Sequence, residues 1–161
     1  MKEPDKNGYI MEDIKLISKN KKALHDYFIL SRLEAGIVLQ GTEVKSVREN
    51  RINMRDCYAK VKDHELWLFG FHISPYEKGN IFNHDPLRKR KLLLHSQEIE
   101  RLRRNIEEKG LTLVPLSVYL KNGRVKIELG LAKGKHLYDK RDDHAAETAK
   151  REMERAIKDK R

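Results

Sequence analysis

Apolar and polar positions alternate along most of this chain, and the alternation stops near Leu131. The period of two is clearest from Arg124 to Leu131. There Val125, Ile127, Leu129 and Leu131 fall on one side, and Arg124, Lys126 and Glu128 on the other, the mark of a strand buried on one face. A second strand, Leu111 to Leu120, precedes it across Asn122-Gly123, a pair that accepts the positive φ angles of a two-residue hairpin. An earlier hairpin reads from Cys57, Ala59 and Val61 alternating with Tyr58, Lys60 and Lys62. Its turn is Asp63-His64, and its return strand, Leu66 to Phe71, is apolar enough for burial on both faces.

Further upstream, His25 to Leu30 reads as a strand, and Ile37 to Leu39 as another after Glu34-Ala35-Gly36. Ile14, Leu16 and Ile17 predict an edge strand. Two stretches follow a helical period instead. Gly41-Thr42 opens a short helix with Thr42 as N-cap, Glu43 in the first turn, and Val44 and Val47 on one face. A longer helix starts near Ser96, carries the stripe Ile99, Leu102 and Ile106, and closes at Gly110. Ser74 to Asp85 is a loop. Short, mostly antiparallel strands with two or three flanking helices predict a mainly β fold with some α, an OB-like antiparallel β-barrel over residues 1–132.

Residues 133–161 follow neither pattern. They hold ten Lys/Arg and seven Asp/Glu, with too little apolar surface to offset their ordering entropy. Asp143 can cap a helix whose narrow stripe is Ala146, Ala149, Met153, Ala156 and Ile157. The pairs Glu147–Arg151 and Glu154–Lys158 each add about 0.3–0.5 kcal/mol, too little to hold a short helix in water. The expectation is a basic C-terminal tail, disordered when free and helical on a partner.

Charge narrows the choice of partner. The 161 residues carry a formal net charge of +10, which favours a polyanion. No run approaches the length of a spanning helix, and Met1-Lys2-Glu3-Pro4-Asp5 lacks a signal-peptide core, so a cytoplasmic protein is expected. Nucleic acid is preferred over a membrane surface, because no basic amphipathic face carries bulky apolar anchors. The single cysteine, Cys57, leaves no internal disulfide and no cysteine cage for a metal.

Catalytic signatures are missing: there is no HExxH, no phosphate loop and no GxSxG elbow. Gly130 to Lys135 resembles a phosphate loop only until the required helix fails to follow, and nothing pairs with His72 or Asp85. The reading is a binding protein, not an enzyme, with no cofactor and no metal. Its candidate contacts begin with Arg88-Lys89-Arg90-Lys91, a ridge of four cations ahead of Leu92-Leu93-Leu94, which suits phosphates. Glu34 is either a surface charge or a carboxylate that accepts from base amino or imino groups. His25 and Tyr27 either stack on unpaired bases or pack.

Six blocks, in order, resemble one family. They are Asn20-Lys21-Lys22-Ala23; His25-Asp26-Tyr27-Phe28-Ile29; Glu34-Ala35-Gly36; Gly41 to Arg48; Asp85-Pro86 with Arg90 to Leu94; and Ala132 to Lys135 with Asp139-Lys140-Arg141. Together they are similar to small protein B (SmpB), the bacterial partner of transfer-messenger RNA (tmRNA) in ribosome rescue. The resemblance implies an adaptor for trans-translation that binds the tRNA-like domain of tmRNA and delivers it to stalled ribosomes. Its tail then lies in the decoding centre and the empty mRNA channel. By position it implies Glu34 and Leu93 as tmRNA contacts and His25 near the decoding interface. The full tmRNA-contacting set expected is Glu34, Leu93, His25, Tyr27, Lys21, Lys22, Arg88, Lys89, Arg90, Lys91, Lys133 and Lys135. For the ribosome and tagging tail it is Gly134, Tyr138, Asp139, Lys140, Arg141, Met153 and Ile157. The family also implies the complex of alanyl-tmRNA with elongation factor Tu as a partner. His95 stands where some members carry Asn, and the smaller Ala156 shifts tail docking onto Met153 and Ile157. A generic structured-RNA binder and a nuclease are the competing readings.

Overall fold

The computed structural model describes residues 13–78, 83–135 and 150–157. Nine strands and three helices alternate as β1 (Ile14–Lys19), α1 (Lys21–Asp26), β2 (Tyr27–Ile37), α2 (Gly41–Arg48), β3 (Ile52–Asn53), β4 (Tyr58–Lys62), β5 (Glu65–Phe69), β6 (His72–Ile73), β7 (Arg90–Leu93), α3 (Ser96–Lys109), β8 (Thr112–Lys121) and β9 (Arg124–Gly134). Residues 150–157 form a further helix, α4, which is exposed along its length.

The hairpin at Asn122-Gly123 is the frame of the sheet. Both turn residues have positive φ, 52° and 79°, and the strands they join stay paired from Lys121↔Arg124 to Thr112↔Ala132. β2 then pairs with the other edge of β9, and β7, β5 and β4 follow in turn. β4 returns to β8 through a single residue pair, Ala59↔Leu113, so six strands close an OB-like ring with one thin seam. Beyond that seam β8 is free to pair with β1, which lies outside the ring. β3 and β6 form a separate two-stranded ribbon. Leu66, Leu68, Leu92, Leu113, Val118, Ile127 and Leu129 fill the interior, joined by Val47 of α2 and by Ile99 and Leu102 of α3.

Several expectations change. His25 lies in α1, and the strand expected from that residue begins at Tyr27. The reason is Asn20, a buried residue whose side chain caps the helix and also reaches distant segments of the chain. Its Oδ1 accepts from the Ala23 N–H at 3.2 Å, and its Nδ2 donates to the carbonyls of Met54 (3.1 Å) and Pro115 (2.9 Å). The break expected at Glu34-Ala35-Gly36 does not occur, since β2 runs through it. α2 is capped by Gln40 in place of Thr42, through a reciprocal box with Glu43. His95 precedes α3 as its N-cap instead of Ser96. Gly110 does end α3 in the left-handed conformation. β9 continues two residues past the expected domain border, with Lys133 opposite Phe28 and Gly134 opposite Tyr27.

Candidate nucleic-acid interface

Glu34 sits on the outer face of β2, directly opposite Glu128 of β9. Like charges facing each other across a sheet repel, and each carboxylate has its own partner. Glu128 accepts from Arg32 at 2.8 Å. Glu34 accepts from the Tyr119 hydroxyl and from Lys121 Nζ at 3.3 and 3.4 Å. The Tyr119 hydrogen bond holds the Glu34 carboxyl below the usual glutamate range; burial opposes it, and Lys121 and Lys126 add to the lowering. Glu34 is therefore an anion at neutral pH, set in position by one hydroxyl and one ammonium, with more than a third of its side chain open to solvent.

Leu93 reaches the same place from β7, where it pairs with Gly36. A Cβ on Gly36 would lie 3.3 Å from Leu93 Cβ, so the missing side chain at this position makes room for Leu93. Leu93 remains 51% exposed, an apolar side chain open to a ligand. Glu34, Gly36, Leu93, Leu94, His95 and Lys126 line an open depression of about 320 Å³. Two candidates drawn from separate strands thus meet at one site, with His95 on its rim.

The expected ridge of four cations divides in two. Arg90 is fully buried and is withdrawn as a phosphate contact. Its guanidinium donates to the carboxylate of Glu43 and to the carbonyls of Phe71 and Pro86, the last at 3.2 Å. Arg88 is partly buried and donates to the other oxygen of Glu43. Burial pushes the Glu43 carboxyl up, but the Gln40 N–H and the two arginines outweigh it and hold it below its ordinary range. Burial also lowers Arg90, against the pull of Glu43. Of the lysines, Lys89 is exposed with Nζ 4.7 Å from the centre of the Trp67 ring, and Lys91 is half-buried and pairs with Glu65 at 2.8 Å.

The remaining candidates are dispersed. His25 is exposed at the end of α1, with Nδ1 3.0 Å from Asp26. Tyr27 is half-buried and packs against the cluster of Ala23, Val114, Leu116 and Ala132. Lys21 is exposed, and Lys22 pairs with Asp56 at 2.7 Å. Lys133 is exposed, while Lys135 Nζ lies 5.1 Å from the centre of the Phe28 ring. A Cβ on Gly134 would meet nothing within 4 Å, so the barrel itself does not demand glycine there. Met153 and Ile157 stand 71% and 60% exposed on α4. Tyr138, Asp139, Lys140 and Arg141 lie outside the described residues.

Tyr119 and Lys121 escaped the sequence reading. Tyr119 lies 85 positions from Glu34, and only the pairing of β8 and β2 with opposite edges of β9 brings them together. Burial pushes the Cys57 thiol well above its ordinary range, so it is an inert core side chain. Among the described residues, no group of three or more His, Cys, Asp or Glu can hold a metal. Among them too, no helix is long and apolar enough to cross a membrane.

The family model described as SmpB protein matches residues 17–159. An SsrA-binding protein of Acetivibrio thermocellus is 60% identical over 148 residues, 92% of this chain and 96% of that protein. One from Ruminiclostridium cellulolyticum is 59% identical over 150 residues, covering 93% and 97%. A solved structure described as "tmRNA-SmpB: a journey to the center of the bacterial ribosome" superposes with a TM-score of 0.62 at 52% identity, covering 73% of this chain and 83% of that one. A match across nearly the whole chain, on a barrel that gathers Glu34 and Leu93 at one depression, shows that this chain belongs to the SmpB protein family.

Proposed function

We propose that this protein is a tmRNA-binding adaptor for trans-translation, a cytoplasmic protein that binds RNA and catalyses nothing. The observation that carries the reading is its likeness, over nearly its full length, to SsrA-binding proteins, and over 73% of its length to a solved structure described as tmRNA-SmpB. The barrel binds the tRNA-like domain of tmRNA, and the complex reaches stalled ribosomes together with elongation factor Tu. The Glu34 carboxylate is the reading group: an anion fixed by Tyr119 and Lys121 can accept from a base amino or imino group, and such a contact specifies where phosphate contacts only position. Leu93 packs against the sugar or base beside it. Lys89, Lys91, Lys126 and Lys133 supply the salt-dependent attraction. His25 and Lys21 meet the ribosome at the opposite end of β2. The tail from Lys135 onward enters the decoding centre and mRNA channel, with Met153 and Ile157 as its apolar anchors.

The test is a binding titration of full-length protein with tmRNA and with an ordinary tRNA across a salt series. The expected result is a clear preference for tmRNA that Glu34→Ala lowers by about tenfold, the size of one lost specific contact. Equal binding of both RNAs, insensitive to Glu34→Ala, would replace this reading with that of a generic structured-RNA binder.

A further inference from the structure

The outer face of β4, β5 and β7 carries aromatic rings, with Lys60 and Lys62 beside them, that the proposed tmRNA contacts leave unused. Leu66, Leu68 and Leu92 point into the core, so the side chains alternating with them stand outside. Register then assembles them: Tyr58 lies opposite Phe69, Lys60 opposite Trp67, and Trp67 on its other side opposite Lys91. The Tyr58 and Phe69 rings stack with centroids 5.4 Å apart and planes within 18°, and Tyr58 is 46% exposed. Lys89 covers the Trp67 ring, and Lys91 shares its charge with Glu65. Lys60 and Lys62 are exposed and have no ion-pair partner among the described residues.

Rings and ammonium groups that alternate at strand spacing match a polymer that alternates flat bases with phosphates. An acidic peptide would satisfy the lysines and leave the rings nothing to stack on. An apolar protein surface would bury lysine ammonium groups at its centre without compensation. The face also joins the depression already described. Lys91 and Leu93 lie on the same side of β7, two residues or about 7 Å apart.

We propose that this face is a stacking platform for unpaired RNA: a single-stranded segment leaves the Glu34–Leu93 depression, crosses Lys91, and stacks bases on Trp67 and on the Tyr58–Phe69 pair. A base arriving at Trp67 takes the place of the Lys89 ammonium, which moves to the adjacent phosphate. The path past Leu93 rests on the function proposed above; the platform itself does not.

Trp67 is the chain's sole tryptophan, so its emission reports on the platform directly. Full-length protein is titrated with an RNA of about ten nucleotides lacking self-complementarity, with inorganic polyphosphate and with a polyglutamate peptide. The RNA should quench Trp67 and polyphosphate should not. Tyr58→Ala should weaken the short RNA by about tenfold, one lost stacking partner. Lys60→Glu with Lys62→Glu, both at exposed positions, should do the same and stands in if Tyr58→Ala fails to fold. Glu34→Ala should weaken tmRNA but not the short RNA. No quenching by RNA, equal quenching by polyphosphate, or equal competition by polyglutamate would each overturn the platform. If Glu34→Ala spares tmRNA while Tyr58→Ala weakens the short RNA, the proposed reading at Glu34 fails and the platform stands. If Glu34→Ala weakens tmRNA and the short RNA never quenches, the platform falls alone.

Discussion

Glu34 and Glu43 are nine residues apart in the chain and do opposite work. Both carboxylates are held below the ordinary glutamate range by hydroxyl, N–H or guanidinium donors. Glu43 is fully buried, and its oxygens are taken by Arg88, Arg90 and the Gln40 N–H. Nothing can approach it, so it serves the barrel by tying α2 to the start of β7 and the residues just before it. Glu34 keeps solvent access and acceptor capacity beyond Tyr119 and Lys121, and so can serve a ligand. A charged residue inside a family motif is therefore no guide to contact with a partner until its burial is known. The same division runs through Arg88 to Lys91, where Arg90 serves the interior and Lys89 the surface.

The sharpest way to break this contrast is to remove the buried acid. Glu43→Ala leaves Arg90 charged and unpaired in the interior, and should cost about 3–5 kcal/mol in denaturant unfolding. Glu43→Met combined with Arg90→Leu should recover most of that loss, because apolar groups of similar volume need no counter-charge. A double variant no better than the single one would show that the ion pair is not what Glu43 supplies. Next in size, Glu34→Gln should lower tmRNA affinity by about tenfold and leave the unfolding free energy within about 0.5 kcal/mol. A matching loss of stability would merge the two carboxylates into one class.

Gly36→Ala tests how the depression is shaped. The new methyl must displace Leu93 by a few tenths of an ångström. A few-fold loss of tmRNA binding is expected, on the scale of about 1 kcal/mol of disturbed packing, with circular dichroism unchanged.

The smallest effects concern protons. Both carboxyls are depressed in the folded state, so the stability they lend is present above their unfolded value of about 4.3. It is lost as pH falls through the lower folded pKa. Acid unfolding of Glu43→Gln should accordingly show a flatter acid limb than the parent, while Glu34→Gln, at a carboxyl screened by solvent, should flatten it much less. Tyr119→Phe removes the leading cause of the Glu34 shift, and an NMR titration should find that carboxyl closer to its ordinary value.

Local pattern carried much of the fold. The strand alternation from Arg124 to Leu131, the Asn122-Gly123 turn, the stripe of α3 and its Gly110 stop are visible because each arises from neighbours within one turn or one pleat. The start of α1 was hidden, since Asn20 is held by carbonyls 34 and 95 positions away. Glu34 and Leu93 were legible as candidates through their motifs, but their meeting over Gly36 was not. Arg90 was misjudged because a run of four cations reads as solvent-facing, and a single sequence does not disclose a buried partner 47 positions away.

By itself the sequence determined the charge that selects a polyanion, the strands and turns that build a barrel, and the motifs that place the chain in its family. These follow from composition and short-range periodicity, which folding does not alter. Only the tertiary structure decided which charged residues face a ligand. Burial and partner choice depend on strand register and ring closure, which bring distant segments together: Tyr119 to Glu34, Gly36 under Leu93, and Arg90 onto Glu43.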